Sequence, residues 1–229
     1  SILVGSDYNG VPVSCAGYSD GIILMDTANL GGKGPYRYAW SNGATTQDLD
    51  GVPAGLYRVV VTDYYGCVDS TEVEIGEPDP ISYTLQDADP LCYRDSSGRI
   101  DLLLTGGTVR GVSDYRVWLN EILTGPYTGD LPAGTYTIRM EDLNDCFAET
   151  ETELIDPPAL VLEFDTENAF CKDKPDGELN LNVDGGTPPY NIAWDRGLLE
   201  NEDYFMNVFW GEYVATVTDF NNCVTIDTA

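Results

Sequence analysis

The chain has 229 residues and a net charge of -28, from 39 acidic residues against 11 basic ones, and it contains no histidine. That charge repels nucleic acid and anionic membrane surfaces, so neither is a partner. Without histidine, Ser-His-Asp and Cys-His nucleophile systems and zincin sites are excluded. No apolar run approaches the ~20 residues that cross a bilayer, so direct membrane insertion is not expected.

In chain order, Ile2, Leu3 and Val4 open as a short strand, and polar residues lead to Cys15. Six residues later Gly21 begins an alternating strand through Ile23 and Met25, which ends at the pair Gly31 and Gly32. An aromatic strand follows with Tyr36, Tyr38 and Trp40 on one face. After a turn at residues 41–43 and a weak strand over 44–52 comes the clearest stretch of the chain, residues 53–67. There Tyr57, Val59 and Val61 alternate with more polar neighbours, the period of a half-buried β-strand.

This order recurs. Residues 132–146 and 209–223 copy residues 53–67: a Gly stands two before a Tyr (Tyr57, Tyr136, Tyr213), an Asp six after it and a Cys ten after it. The alternating strand recurs at Ile100, Leu102 and Leu104 and at Leu179, Leu181 and Val183. It is followed by Gly106-Gly107 and Gly185-Gly186. The aromatic strand recurs at Tyr190, Ile192 and Trp194. The second copy departs from it: a longer loop precedes Tyr115, Val117 and Leu119, whose alternation points inward and turns Trp118 outward. In the third, residues 198–209 are rich in aromatics (Tyr204, Phe205, Phe209, then Trp210), either core filling or an exposed contact patch.

Three copies at intervals of 79 and 77 residues make a repeat array: segments 1–80, 81–158 and 159–229, joined by proline-bearing connectors at 77–80 and 156–158. The last segment stops six residues past Cys223, so its final strand is truncated, which reads as an excerpt of a longer chain. Ser1 is followed directly by strand-like sequence with no signal peptide, as in a mature product or an excerpt. Strands every eight to twelve residues between Gly/Pro turns predict an all-β chain with one small β-sandwich per segment.

Each segment holds two cysteines, 52, 54 and 52 residues apart: Cys15 and Cys67, Cys92 and Cys146, Cys171 and Cys223. Repeat logic predicts that each segment closes on itself with one disulfide, adding on the order of 4 kcal/mol in the chain-entropy model. Six reduced core thiols are the alternative, and zinc has neither a CxxC pair nor a histidine to hold it. Disulfides imply an extracellular setting.

The residues of this pattern, closest over 36–43 and 53–67 and again over 185–194 and 213–223, resemble the SprB repeat, named after the giant mobile surface adhesin of gliding bacteria. The resemblance implies an array of immunoglobulin-like units exported by the type IX system and displayed on the cell surface at the outer membrane. It also implies a role in adhesion or gliding motility, with no catalytic residues to carry over.

Paired carboxylates for glycoside hydrolysis are not singled out among so many acids, and the chain reads as no enzyme. Calcium is the one cofactor that the residues bring to mind, through Asp142, Asn144 and Asp145, through Asp219, Asn221 and Asn222, and through Glu77 with Asp79 at a connector. The turn after the Gly-Tyr strand would face the preceding connector, where a cation would stiffen the joint; turn chemistry on a solvated acidic surface is the other explanation. Thr27, Ser70 and Thr228 sit in Asp-Ser/Thr-aliphatic triplets like those O-glycosylated in such secreted proteins, and no Asn-x-Ser/Thr acceptor exists.

The leading expectation is a structural and adhesive segment of a large surface protein, with neighbouring repeats as partners. The runner-up is a module that binds surface glycans or cell-surface proteins through Trp118, Tyr204, Phe205 and Trp210. A filament subunit assembled by strand addition is a third.

Overall fold

The structure, a computed structural model, describes residues 1–28, 30–171 and 173–229. Segment 1–80 folds as β1 (Ile2–Val4), β2 (Gly21–Met25), β3 (Arg37–Trp40), β4 (Leu49–Val52), β5 (Gly55–Thr62) and β6 (Val68–Ile75). These make two antiparallel sheets, β1-β2-β4 and β3-β5-β6. The period-2 pattern decides which side chains face inward. Ile23 and Met25 come from one sheet, and Trp40, Tyr57, Val59 and Val61 from the other; all join a single buried cluster with Val13, Leu49, Val52 and Ile75. Each fully buried aliphatic of this kind contributes roughly 1.5–3 kcal/mol.

The next stretch contains β7 (Ser82–Ala88), β8 (Gly98–Thr105), β9 (Arg116–Leu119), β10 (Ile122–Leu123), β11 (Tyr127–Leu131), β12 (Gly134–Glu141) and β13 (Phe147–Leu154). Its sheets run β7-β8-β11 and β10-β9-β12-β13. The longer loop ahead of β9 holds a short 3-10 turn, Val112–Asp114. Tyr115, Val117 and Leu119 are buried, as the alternation requires, while Trp118 on the other face is half-buried.

The last stretch contains β14 (Val161–Glu167), β15 (Gly177–Asp184), β16 (Asn191–Trp194), β17 (Tyr204–Val208), β18 (Val214–Thr218) and β19 (Val224–Thr228), in sheets β14-β15-β17 and β16-β18-β19. β19 has five residues where β6 and β13 have eight. The all-β expectation therefore holds, and the same order of strand pairing is repeated along the chain.

The described residues gather into two compact units. One comprises Ser1–Leu85, Leu102–Pro126 and Thr137–Glu151; the other comprises Gln86–Asp101, Tyr127–Tyr136 and Thr152–Ala229. Each has its own disulfide.

The recurring Gly-x-Tyr serves one purpose. Tyr57 donates its hydroxyl to the Pro53 carbonyl at 2.9 Å, Tyr136 to Pro132 at 2.6 Å and Tyr213 to Phe209 at 2.9 Å. This is a tyrosine corner, which lets the ring lie in the core while its hydroxyl stays paired. Burial raises the phenol pKa of Tyr57 and of Tyr136.

The Gly pair is equally specific. Gly106 has φ +76° and Gly107 φ +65°; a Cβ on Gly106 would fall on the Pro80 carbonyl oxygen, and one on Gly107 would lie 2.9 Å from Oδ2 of Asp142. Gly106→Ala is expected to cost about 2 kcal/mol or more, since left-handed backbone alone costs an alanine roughly 1–2 kcal/mol. Gly111→Ala, at φ -173° with open space around it, should stay within about 0.5 kcal/mol. Urea denaturation of both variants measures the difference.

The cysteine pairing differs from expectation. The bonds are Cys15–Cys146 and Cys92–Cys223, each spanning 131 residues, while Cys67 and Cys171 are free and exposed. The predicted closures Cys15–Cys67, Cys92–Cys146 and Cys171–Cys223 are therefore corrected. Strand direction explains why. Gly21, at the start of β2, lies opposite Val52, and its Cα faces Ile75. Ile75 in turn pairs with Gly55, at the start of β5. Cys15 thus lies at the end of the sandwich where β2 and β5 begin. Cys67 follows the far end of the eight-residue β5, roughly 25 Å away by strand rise, well beyond disulfide reach.

Candidate functional site

The places where chemistry gathers are the joints. After β12 the chain turns through Asp142, Leu143, Asn144, Asp145 and Cys146. Asp142 is fully buried, and its carboxylate accepts the N–H of Thr108 at 2.7 Å on one oxygen. The other oxygen takes those of Asn144 at 2.8 Å and Cys146 at 3.0 Å. The turn after β18 repeats this: Asp219 accepts from Thr187 at 2.8 Å, Asn221 at 2.8 Å and Cys223 at 2.9 Å. So does the turn after β5, where Asp63 accepts from Lys33, Tyr65 and Cys67. The invariant spacing of Asp to Cys is a scaffold that holds the cysteine's own N–H.

The Gly pair, whose next residue donates to the turn's Asp, meets the preceding connector. Gly107 donates its N–H to the Asp79 carbonyl at 2.7 Å, and Gly186 to that of Pro158 at 3.0 Å. The loop of the earlier segment's first cysteine grips the same connector: Gly17 N–H to Glu77 at 2.6 Å, and Arg94 N–H to Asp156 at 3.0 Å. Within that loop the residue before the cysteine is itself held by a side chain six positions on. Ser14 N–H meets Asp20 at 3.0 Å, Leu91 N–H meets Ser97 Oγ at 2.6 Å, and Phe170 N–H meets Asp176 at 3.0 Å. Asn144 then donates its amide to the carbonyls of Tyr8 at 3.1 Å and Ser14 at 3.0 Å, and Asn221 to Leu91 at 3.2 Å. A disulfide closes each of these two joints, with Cα atoms 5.6 Å apart. A cavity of about 230 Å³ beside the first is lined by Cys15, Tyr18, Pro78, Asp142 and Cys146, among others.

The carboxylates singled out for calcium are spoken for in this arrangement. Asp142 and Asp219 are saturated by backbone donors, Asp145 pairs with Arg116, and Glu77 takes the N–H of Gly17. Asp79 contributes its backbone carbonyl to the joint. Among the described residues no group of three or more His, Cys, Asp or Glu is placed to hold a metal ion. At each joint a covalent bond and peptide N–H groups hold the turn in place.

The aromatic candidates divide. Trp118 lines an open groove of about 700 Å³ with Arg139 and Glu149, and the Arg116 guanidinium lies 5.5 Å from its ring centre. Arg116 and Arg139 both pair with Glu141, at 2.9 and 2.7 Å, and Arg139 also reaches Glu149 at 3.0 Å. In the last segment Phe205 turns into the core against Trp194, ring centres 5.5 Å apart. Tyr204 and Trp210 stay exposed, Trp210 beside a groove of about 590 Å³. Among the triplet hydroxyls, Ser70 and Thr228 are exposed and Thr27 is half-buried; Ser70 Oγ accepts from Arg58 at 3.1 Å.

Fold and joints together define an all-β chain of small antiparallel sheets strapped by disulfides. The SprB-repeat family model matches this chain at two places, residues 8–45 and 164–199. Comparison with curated proteins finds no match. Among solved structures, Sidekick-1 immunoglobulin domains 1-5 align at 12% identity and TM-score 0.36, over 100% of this chain and 58% of theirs. The N-terminal eight Ig domains of Down Syndrome Cell Adhesion Molecule isoform 1.30.30 align at 13% and 0.39, over 100% and 34%. Protocadherin Gamma B7 extracellular cadherin domains 1-4 align at 9% and 0.29, over 100% and 66%. Scores this low support no conclusion about this chain, which spans about half the length or less of the first two. No helix among the described residues is long and apolar enough to cross a membrane.

Proposed function

We propose that the chain is a structural and adhesive segment of a large extracellular repeat protein, built from three repeats, 1–80, 81–158 and 159–229, and serving as a spacer or stalk at a bacterial cell surface. The observation that carries this reading is the repeated joint. The first-cysteine loop of one segment is bonded to the Asp-x-Asn-x-Cys turn of the next, twice, with the same 131-residue span. Such straps resist bending and extension along a series. Disulfides persist in oxidising compartments, which supports an extracellular setting, and the two SprB-repeat matches support surface display. The high negative charge keeps such a segment soluble and discourages lateral association.

Exposed Tyr204 and Trp210 and half-buried Trp118 support a second reading, a module that binds glycan or protein. A glycan array and a pull-down with surface proteins, run with the wild-type chain, Trp118→Ala and Trp210→Ala, separate the two. A spacer retains nothing in any of the three. A ligand held by the wild type and lost with either substitution overturns the spacer reading.

A further inference from the structure

The geometry points to the groove beside Trp210 as a core position of the third sandwich: the docking site for one aliphatic side chain, carried on an extended stretch that runs on from Ala229 in the parent protein. This rests on the three-repeat reading above, which makes the chain a segment of something longer. The other two segments show what the position takes. Ile75 stands eight residues after Cys67 and Leu154 eight after Cys146, and both are 1% exposed. Each lies against the glycine that opens its alternating strand. A Cβ on Gly21 would come within 3.2 Å of Cγ2 of Ile75, and one on Gly98 within 2.9 Å of Cδ1 of Leu154. Around the equivalent Gly177 the three nearest atoms are all backbone, from Glu167, Ala169 and Val208. There the groove of about 590 Å³ opens, lined by Gly177, Val208, Trp210, Gly211, Tyr213 and Ala229 among others.

Strand register places the side chain. In the first segment Tyr57 lies opposite Val73 and Gly55 opposite Ile75. Tyr213 and Ala229 form the pair that matches Tyr57 and Val73, exchanging N–H···O bonds of 3.1 and 2.9 Å. An antiparallel ladder is hydrogen-bonded again two residues further along. The next such pair is therefore Gly211 with the residue two beyond Ala229. Gly211 is set for it: its φ of +151° matches +152° at Gly55 and +151° at Gly134. Residues two apart on a strand share a face, and Ala229 packs against the core cluster, so the residue two further on enters the groove. A second point of recognition lies two residues past the aliphatic, where the other segments carry Glu77 and Asp156. These accept the N–H groups of Gly17 at 2.6 Å and Arg94 at 3.0 Å, each two residues past a first cysteine. The corresponding donor here is the N–H of Asp173. The occupant is thus an extended peptide that reads aliphatic-x-acidic. The chain's own continuation is favoured over a strand from another molecule. The Ala229 pair already holds it in register, and it loses no translational freedom on docking. A second copy would bring a charge of -28 against -28.

The test appends a copy of residues 74–80 directly after Ala229, which matches Val73 in register. The extended chain is compared with the unextended one and with an extension whose isoleucine is replaced by serine. Peptide mapping of the untreated protein comes first and should show Cys15–Cys146 and Cys92–Cys223; any other pairing removes the repeat reading and this proposal with it. With the isoleucine, thermal unfolding of the second compact unit should shift upward by roughly 5–15 °C. With serine the shift should be less than half as large. Hydrogen exchange at the Gly211 N–H should slow about tenfold or more while the protein stays monomeric. In the parent protein the residue eight after Cys223 should be Ile, Leu or Val, and the one two beyond it Asp or Glu. With the two in-chain bonds confirmed, equal shifts for isoleucine and serine, unchanged exchange at Gly211, or a polar residue eight after Cys223 overturns the proposal and leaves the repeat reading in place. Protection of Gly211 that appears only in a dimer overturns it too, and assigns the groove to a strand from another copy.

Discussion

Replacing both Cys15 and Cys146 by serine is expected to lower the stability of the first compact unit by about 5 kcal/mol, as the chain-entropy model gives for a closed loop of 131 residues. Domains are stable by only about 5–15 kcal/mol in total, so this one bond accounts for a large share of the unit that it closes. Cys92–Cys223 stays intact in that variant, so guanidinium unfolding should become two-step, with an early transition for the weakened unit. Cys67→Ser should be indistinguishable from wild type, because its thiol is free and exposed. A Cys67→Ser as costly as Cys15→Ser would restore closure within each segment and remove the joint.

Asp142→Ala should be nearly as damaging, at about 4 kcal/mol. It removes a fully buried carboxylate and strands the N–H groups of Thr108, Asn144 and Cys146. Each stranded buried donor costs roughly 1–3 kcal/mol, and partial relaxation keeps the sum below the upper limit. Asp142→Asn retains one acceptor oxygen and places an amide donor against peptide donors, so it should fall between. Thermal unfolding of the three proteins ranks them.

The equivalent Asp63 turn is open to solvent and reports on the same bonds by titration. Burial pushes its carboxyl pKa up, but the N–H groups of Cys67, Lys33 and Tyr65 outweigh that and hold it below the usual value of 3.8. A depressed folded pKa means that the stabilisation is complete above the unfolded value and is lost as pH falls through the lower folded one. Carboxyl chemical shifts of Asp63 followed below pH 4 should show the depressed midpoint, and a midpoint at or above 3.8 would contradict the geometry.

Much of the sheet structure was legible from periodicity. Tyr115, Val117 and Leu119 turn inward and Trp118 does not because a strand's faces alternate every residue, a property local to four or five positions. The Gly pairs announced tight turns for a similarly local reason. The cysteine partners were not legible in that way. Whether Cys15 meets Cys67 or Cys146 depends on which end of the sandwich each loop reaches, and so on strand order, which spacing within a segment does not encode. The recurring Asp was visible as a repeat position, but its residue type fits a cation ligand and a backbone acceptor equally well. That the N–H groups of Thr108, Asn144 and Cys146 converge on Asp142 was not legible from the repeat. In the third segment, Phe205 and Tyr204 are neighbours of similar character, and strand register alone sends one to the core and the other outward.

The two bonds also interlock as overlapping rings, since Cys92 lies inside the stretch that Cys15 and Cys146 enclose. If the chain were stretched from its two termini until every strand had peeled away, the tether would still run through both sulfur links. The taut route takes 14 residues to Cys15, 54 from Cys146 back to Cys92 and 6 beyond Cys223. At about 3.5 Å per residue that is a leash of roughly 26 nm, against roughly 80 nm for the reduced polymer. A chain knitted this way, even when torn open by shear, would keep its two ends within a third of its unravelled length.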